Sequence, residues 1–528
     1  MSATIRSAEA LLQWFVAHGD FDGVAVVDCD LAGLDLAHAT FRGVTFERVS
    51  LDRANLQGCS FLDATLRAVS LHGANLDDTA WLSVDFGGES APLSALDAHG
   101  ARLRFHGCSL DHARWARAVL DDVAFAECSL RGCDWREARI TGLECVESAF
   151  ATSWWDGATL TRCAFDQADL SGGSFEGATF DDTSLFRAGL GGSRLDRVTL
   201  RDTSLREADL RGSSFEGAVL DGSDLSGALA DEVVFAGVSF VQSDLVETHL
   251  ARADLTRCNL TDADLSGARC DGADLREVRG DGVSFDGADL ARVDLRGALL
   301  TGSSFIAAKL TGASLAGADL TGADLDGCDL GAVVLDGATM ERVSLVGVRA
   351  AGRRFEGMSL PQTDWTRAEL EGAVFDRCDL TKSCMADAKL RGATFRDAKA
   401  PFVEFDGACL DEADLTGADL AGAQFAGAQA RRAVFTRATM TRAILKKAAV
   451  QEAKFVRTEL SFTDLAQAHV ENADFTDATL RGAALHETAT EGATWTRADL
   501  TDVSRTDAPL ARAERFGADL PPPPERPR

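Results

Sequence analysis

Carboxylates recur along this chain in one phase of a five-residue spacing, as at Asp254, Asp264, Asp274, Asp289 and Asp319. Paired carboxylates are the equipment of general acid–base chemistry, one giving a proton while the other takes one. A catalytic pair occurs once, however, whereas these side chains repeat over hundreds of residues. They read as turn residues, whose short side chains accept hydrogen bonds from nearby backbone N–H groups. His99, His106 and His112 gather with Cys108 and Asp111, a set whose types could ligate a metal. Cys108 falls in an inward phase, and no ligand spacing repeats, so these histidines read as surface residues. Trp115, Trp135 and Trp155 could stack a ring-bearing ligand, with Trp154 beside them, but the first three share the phase of the core. Trp154 alone falls outward and is kept as a contact candidate. The chain holds no GxxxxGK[ST], no HExxH and no GxSxG. No catalytic, cofactor-binding or metal-ligating residue is therefore assigned, and the chain does not read as an enzyme.

The elements carrying these residues follow from one period. From Phe105 to Leu520 nearly every fifth residue is Leu or Phe, about 84 repeats in a single register. A small residue stands two before each centre, Asp, Ser or Thr one before, and Gly or Arg two after, as in AGADLTGADLDGCDL over 316–330. An earlier block runs in another phase from Val26 to Phe86, and 87–104 joins the two as a loop or as degenerate repeats with one residue deleted. Five matches neither the 3.6 of a helix nor the 2 of a strand. A chain that sends one large apolar group inward every five residues must turn a corner every five. Of 19 central phenylalanines from 105 onward, 16 have numbers ending in five, so sides alternate and their number is even. Trp115, Trp135, Trp155 and Phe175 stand at every fourth centre, which fits four sides.

These repeats resemble the pentapeptide repeat family over nearly the whole chain. The resemblance implies an all-β solenoid, a right-handed quadrilateral parallel β-helix. The central residue and the one two before it would point inward, putting Leu320 and Ala318 inside and Asp319, Thr321 and Gly322 outside. Residues 21–520 would make about 25 coils, a rod about 120 Å long at ~4.8 Å per coil. The expected organisation is a capping helix in 1–20, repeats in 21–86, the break at 87–104, repeats in 105–520 and a disordered Pro-rich tail at 521–528. In the helix, Ser7 and Gly19 would cap residues 8–18, and Leu11, Leu12, Trp14 and Phe15 would cover the first coil. Open solenoid ends also allow end-to-end self-association.

Composition sets further bounds. The 528 residues are 46% hydrophobic, with no Tyr and only 9 Pro, which is not the composition of a disordered chain. No apolar run approaches the ~18 residues of a membrane span, and the N-terminus makes a poor signal peptide. The cytoplasm is the expected compartment, with export by a dedicated secretion system needing no such signal. Thirteen cysteines without a CxxC pair argue against a disulfide framework or a zinc site. Nine of them stand where Ala usually stands.

Charge carries the functional reading. The formal net charge is −30, with −26 in residues 1–350 and −4 in 351–528. Against that background 431–457 carries Arg431, Arg432, Arg437, Arg442, Lys446, Lys447, Lys454 and Arg457 with only Glu452. Seven of these, all but Lys454, are taken with Trp154 as candidate partner-binding residues. The expected function is a non-catalytic scaffold for protein partners, the resemblance extending to accessory or effector proteins of bacterial secretion systems such as type VI. The alternative is an acidic mimic of DNA that modulates a type II topoisomerase such as gyrase. A remote third is an enzyme with its site at 87–104. Direct binding to nucleic acid is disfavoured by the charge.

Overall fold

A computed structural model describes residues 3–506. The tail at 521–528 lies outside the described residues. The chain divides into two compact units, Met1–Leu295 and Arg296–Arg528, and each is a parallel β-solenoid with a 20-residue turn.

One repeat shows why the chain coils, because all five of its backbone N–H groups have partners. Ala318 donates to the Leu315 carbonyl at 3.0 Å, closing a turn. Asp319 donates back one coil to Ala298 at 2.9 Å, while Leu320 and Gly322 donate forward one coil to Thr339 and Glu341, both at 2.9 Å. The fifth, on Thr321, donates to Oδ1 of Asp319 at 3.0 Å. The same side-chain bond recurs at Asp254, Asp264, Asp274 and Asp289, each accepting from the N–H two residues on. The repeated carboxylates therefore stand on the sides, one residue before each centre, and cap the corner that follows.

The residue two after each centre adopts the left-handed conformation, with φ +69° at Gly322 and +62° at Arg437. Glycine meets that demand without strain, which explains its frequency there. Leu320 and Ala318 are buried, whereas at the corner Thr321 is half-buried and Gly322 exposed.

Aromatic centres stack from coil to coil. In the first unit Trp115, Trp135 and Trp155 lie nearly parallel, with centroids 5.5 and 5.0 Å apart. In the second, Phe355, Phe375 and Phe395 stack at 4.9 and 5.1 Å. The helix α1 (Ala8–His18) begins at Ser7, whose hydroxyl accepts from the Ala10 N–H, and ends at Gly19. Leu11 is fully buried and Phe15 stacks on Phe21 at 5.6 Å. Leu12, expected to cover the first coil, is 39% exposed instead. It follows Leu11 by one residue, and a helix turns about 100° per residue, which carries it off the covered face.

The change of phase is an insertion rather than a deletion. Thr65 pairs with Asp85, as a regular turn requires, but Ser70 pairs with Ser94 where a regular turn would supply Ser90. Four extra residues therefore bulge out within 87–91, starting at Gly87 and Gly88 with φ of +85° and +62°. The following strand, His99–His106, is in register with Val119–Ala126.

Candidate interaction surfaces

A 20-residue turn puts residues 20 apart in straight files along each side, whereas residues five apart sit on successive corners. The basic run of 431–457 is distributed by that rule. Arg431 and Arg432 lie on one corner and Lys446 and Lys447 on the adjacent one, so these four edge a single side. Arg437 and Arg457 share a third corner one coil apart, and Arg442 lies on the fourth. The structure thus brings four of the seven basic residues together and turns three away. Arg432 pairs with Glu452 at 3.0 Å, Arg431 with Asp411 at 3.9 Å and Arg457 with Asp477 at 3.9 Å. Arg437, Arg442, Lys446 and Lys447 make no ion pair among the described residues.

Acidic files occupy the first unit. Asp224, Asp244 and Asp264 are bridged in sequence on one side, and Asp254, Asp274 and Asp294 on the opposite side. Asp224 lies 3.7 Å from Arg206, whereas Asp244 and Asp264 make no ion pair among the described residues. Arg276 sits between Asp274 at 2.6 Å and Asp294 at 3.8 Å, which weakens the second file. In the second unit one file alternates in sign through Asp329, Arg349, Glu369 and Lys389. Its ion pairs measure 3.5 Å for Arg349–Asp329 and 2.7 Å for Lys389–Glu369.

Trp154 stands outward and is 48% exposed, with the Arg136 guanidinium 5.9 Å from its ring centroid. Two aromatic surface residues lie outside the sequence-based set. Phe402 and Phe462 are 58% and 62% exposed, two residues after their centres, each ring lying over the glycine one coil on, Gly422 and Gly482. Their signal in the sequence is a Phe out of phase with the centres. Arg353 is a second surprise, an arginine where a small inward residue belongs. It donates to the Leu330 carbonyl, its Nε–H has no partner, and burial lowers its pKa.

The nine cysteines at small inward positions are all buried. Several thiols donate to the carbonyl 23 residues back, as Cys258 does to Phe235 at 2.9 Å and Cys328 to Phe305 at 3.0 Å. Burial pushes both thiols up to about 12. Among the described residues no three His, Cys, Asp or Glu side chains gather as a metal site. No helix among them is long and apolar enough to cross a membrane.

The family model described as pentapeptide repeats matches residues 20–58, 46–79, 101–134, 163–202, 193–229, 234–269, 243–279, 258–297, 281–315, 313–349, 354–387, 385–417, 418–455 and 453–488. A search of the curated proteins finds no match. Among solved structures, HetL, a pentapeptide repeat protein involved in heterocyst differentiation regulation from the cyanobacterium Nostoc sp. strain PCC 7120, is 26% identical. It covers 48% of this chain and 89% of its own, with a TM-score of 0.18. Full-length QnrB1, a plasmid-mediated fluoroquinolone resistance protein, is 18% identical over 46% of this chain and 92% of its own, with a TM-score of 0.19. A pentapeptide repeat protein from the Arabidopsis thaliana thylakoid lumen is 28% identical over 21% of this chain and 71% of its own, with a TM-score of 0.12.

Proposed function

The chain belongs to the pentapeptide repeat family, and from that premise we propose that it is a non-catalytic scaffold that docks protein partners along its sides. The observation that carries this reading is the filing of outward side chains. Each side presents a fixed row of groups at about 4.8 Å intervals on a rigid backbone. Such rows are pre-ordered, so a partner meets them without the entropy cost of arranging loops. The side edged by Arg431, Arg432, Lys446 and Lys447 is the proposed dock for an acidic partner.

The test reverses those four residues to Glu. All four are corner residues, so the unfolding transition should be retained. Partners captured by the wild-type chain and released by salt should be lost from the variant. An unchanged set of partners would remove that side from consideration.

A second reading has one observation in its favour. The files Asp224–Asp264 and Asp254–Asp294 run on opposite sides of the same coils. Together they place one carboxylate per about 2.4 Å, against one phosphate charge per ~1.7 Å of duplex DNA. Each file is only three residues long, and Arg276 offsets part of the second. DNA mimicry toward a type II topoisomerase is therefore the lesser proposal. It requires that duplex DNA compete with this chain for purified gyrase, and that Asp244→Asn with Asp264→Asn weaken the binding.

A further inference from the structure

The four-residue insertion at 87–91 does more than shift the phase of the repeats. Glu89 and Pro92 form one wall of a cavity of about 500 Å³, whose other lining includes His112, Arg114, Arg136 and Trp154. That volume lies within the range of small-molecule sites, roughly 300–1,000 Å³. Other hollows occur along the solenoid, one of about 620 Å³ among them, but this one has a wall supplied by the bulge and an exposed indole in its lining.

The groups inside are held in place. Arg136 donates from Nε and Nη2 to the two oxygens of Asp134, at 2.8 and 2.7 Å, and Asp134 is only 7% exposed. Burial pushes the Asp134 carboxyl up, but the hydrogen bonds and charge of Arg136, with the charge of Arg114, keep it below its ordinary value. The guanidinium so fixed lies against the Trp154 indole and braces it as a stacking platform. Arg114, Asp134 and Trp154 are consecutive in one file, so Arg114 stands about 10 Å from Trp154 along it. Arg114 makes no ion pair among the described residues, and neither does His112, whose ring lies over Gly132. A Cβ on Gly132 would fall 2.7 Å from His112 Nδ1.

The cavity therefore offers an indole for a ring, cationic and imidazole donors one or two coils away for an anion, and the Glu89 carboxylate as an acceptor for hydroxyl groups. Arg114 and His112, neither in an ion pair among the described residues, stand in the same cavity as an exposed Trp. We propose that the pocket beside the 87–91 insertion binds an aromatic anion of nucleoside-monophosphate size, its ring stacked on Trp154 and its phosphate or carboxylate held by Arg114 and His112.

Calorimetry with adenosine 5′-monophosphate tests this on the full chain, with adenosine, inorganic phosphate and indole-3-acetate as companion probes. Adenosine and phosphate, each lacking half of the recognised chemistry, should bind at least tenfold more weakly than the monophosphate. Trp154→Ala and Arg114→Glu should each weaken binding tenfold or more while leaving the unfolding transition in place, since both residues are outward. Tighter binding of indole-3-acetate would assign the anion as a carboxylate and uphold the pocket. The proposal is overturned if neither aromatic anion binds at millimolar concentration, if adenosine binds as well as its monophosphate, or if the two substitutions leave binding unchanged.

Discussion

Phe375 and Phe402 are the same residue type, 27 positions apart in one unit, and the fold gives them opposite roles. Phe375 is fully buried, stacked between Phe355 at 4.9 Å and Phe395 at 5.1 Å, with the Trp365 ring edge-on at 5.5 Å. Truncation to Ala removes a full aromatic burial, worth about 2–3 kcal/mol. It also breaks three ring contacts at ~0.5–1.5 kcal/mol each and leaves a gap that neighbouring coils cannot close without losing register. The two sets overlap, and about 4 kcal/mol is expected, within the usual range for Phe→Ala. Phe402 is 58% exposed at a corner with φ +60°. Phe402→Ala should therefore change stability by no more than about 0.5 kcal/mol. Phe402→Gly should be neutral or stabilising, because glycine accepts that backbone without strain. Urea denaturation of the three variants, with the slope checked for constancy, reads the difference directly. Comparable losses for Phe375→Ala and Phe402→Ala would refute the inward and outward assignment on which every surface argument above depends.

Asp319→Ala should cost about 1 kcal/mol by removing the acceptor of the Thr321 N–H, and Asp319→Asn should restore most of it; equal losses for both would mean that charge rather than the turn matters. The Asp499 carboxyl is held down at about 2 by hydrogen bonds from Thr501 and Arg481. Because its folded pKa lies below the ~3.9 of an unfolded chain, its contribution is present above about pH 4 and is lost as pH falls toward 2. An NMR titration should find that low midpoint, and Arg481→Gln should raise it. At pH 8 an alkylating reagent should spare the buried thiols, among them Cys258 and Cys328 at about 12, and reach Cys384 and Cys409, the half-buried pair, first. Mass spectrometry showing Cys258 alkylated as fast as Cys409 in the folded chain would contradict the burial pattern.

The repeat was readable because one residue type had to satisfy one geometric demand many times over. The register, with the family resemblance, placed Ala318 inside and Asp319 outside; Ala318 is buried, and Asp319 stands outward on a side and caps the corner that follows. The insertion was not readable in the same way. The step from Phe86 to Phe105 is four repeats less one residue or three repeats plus four, and only the pairing of Ser70 with Ser94 distinguishes them. The basic run misled for a related reason. Neighbours in sequence are dispersed around the coil, so Arg437 and Arg442 leave the side that Lys446 and Lys447 edge. Arg353 breaks the small-residue rule in the sequence itself, but nothing in the pattern says whether an arginine there enters the core or opens it.

The files also decide how much the net charge of −30 can mean for recognition. At physiological ionic strength exposed charges are screened over about 8 Å, less than the span of two coils at ~4.8 Å each. A docked partner therefore senses two or three rungs of one file, not the total. Asp244 and Asp264 present an uncompensated pair over that distance, whereas Asp329, Arg349, Glu369 and Lys389 cancel rung by rung. Two sides of one chain can thus differ in electrostatic character as much as two different proteins. The total charge acts on how fast a partner arrives, and the order of rungs within a file acts on which partner stays. A search for partners that ranks surfaces by net charge would select the first unit wholesale, whereas the geometry singles out a few rungs on one of its sides.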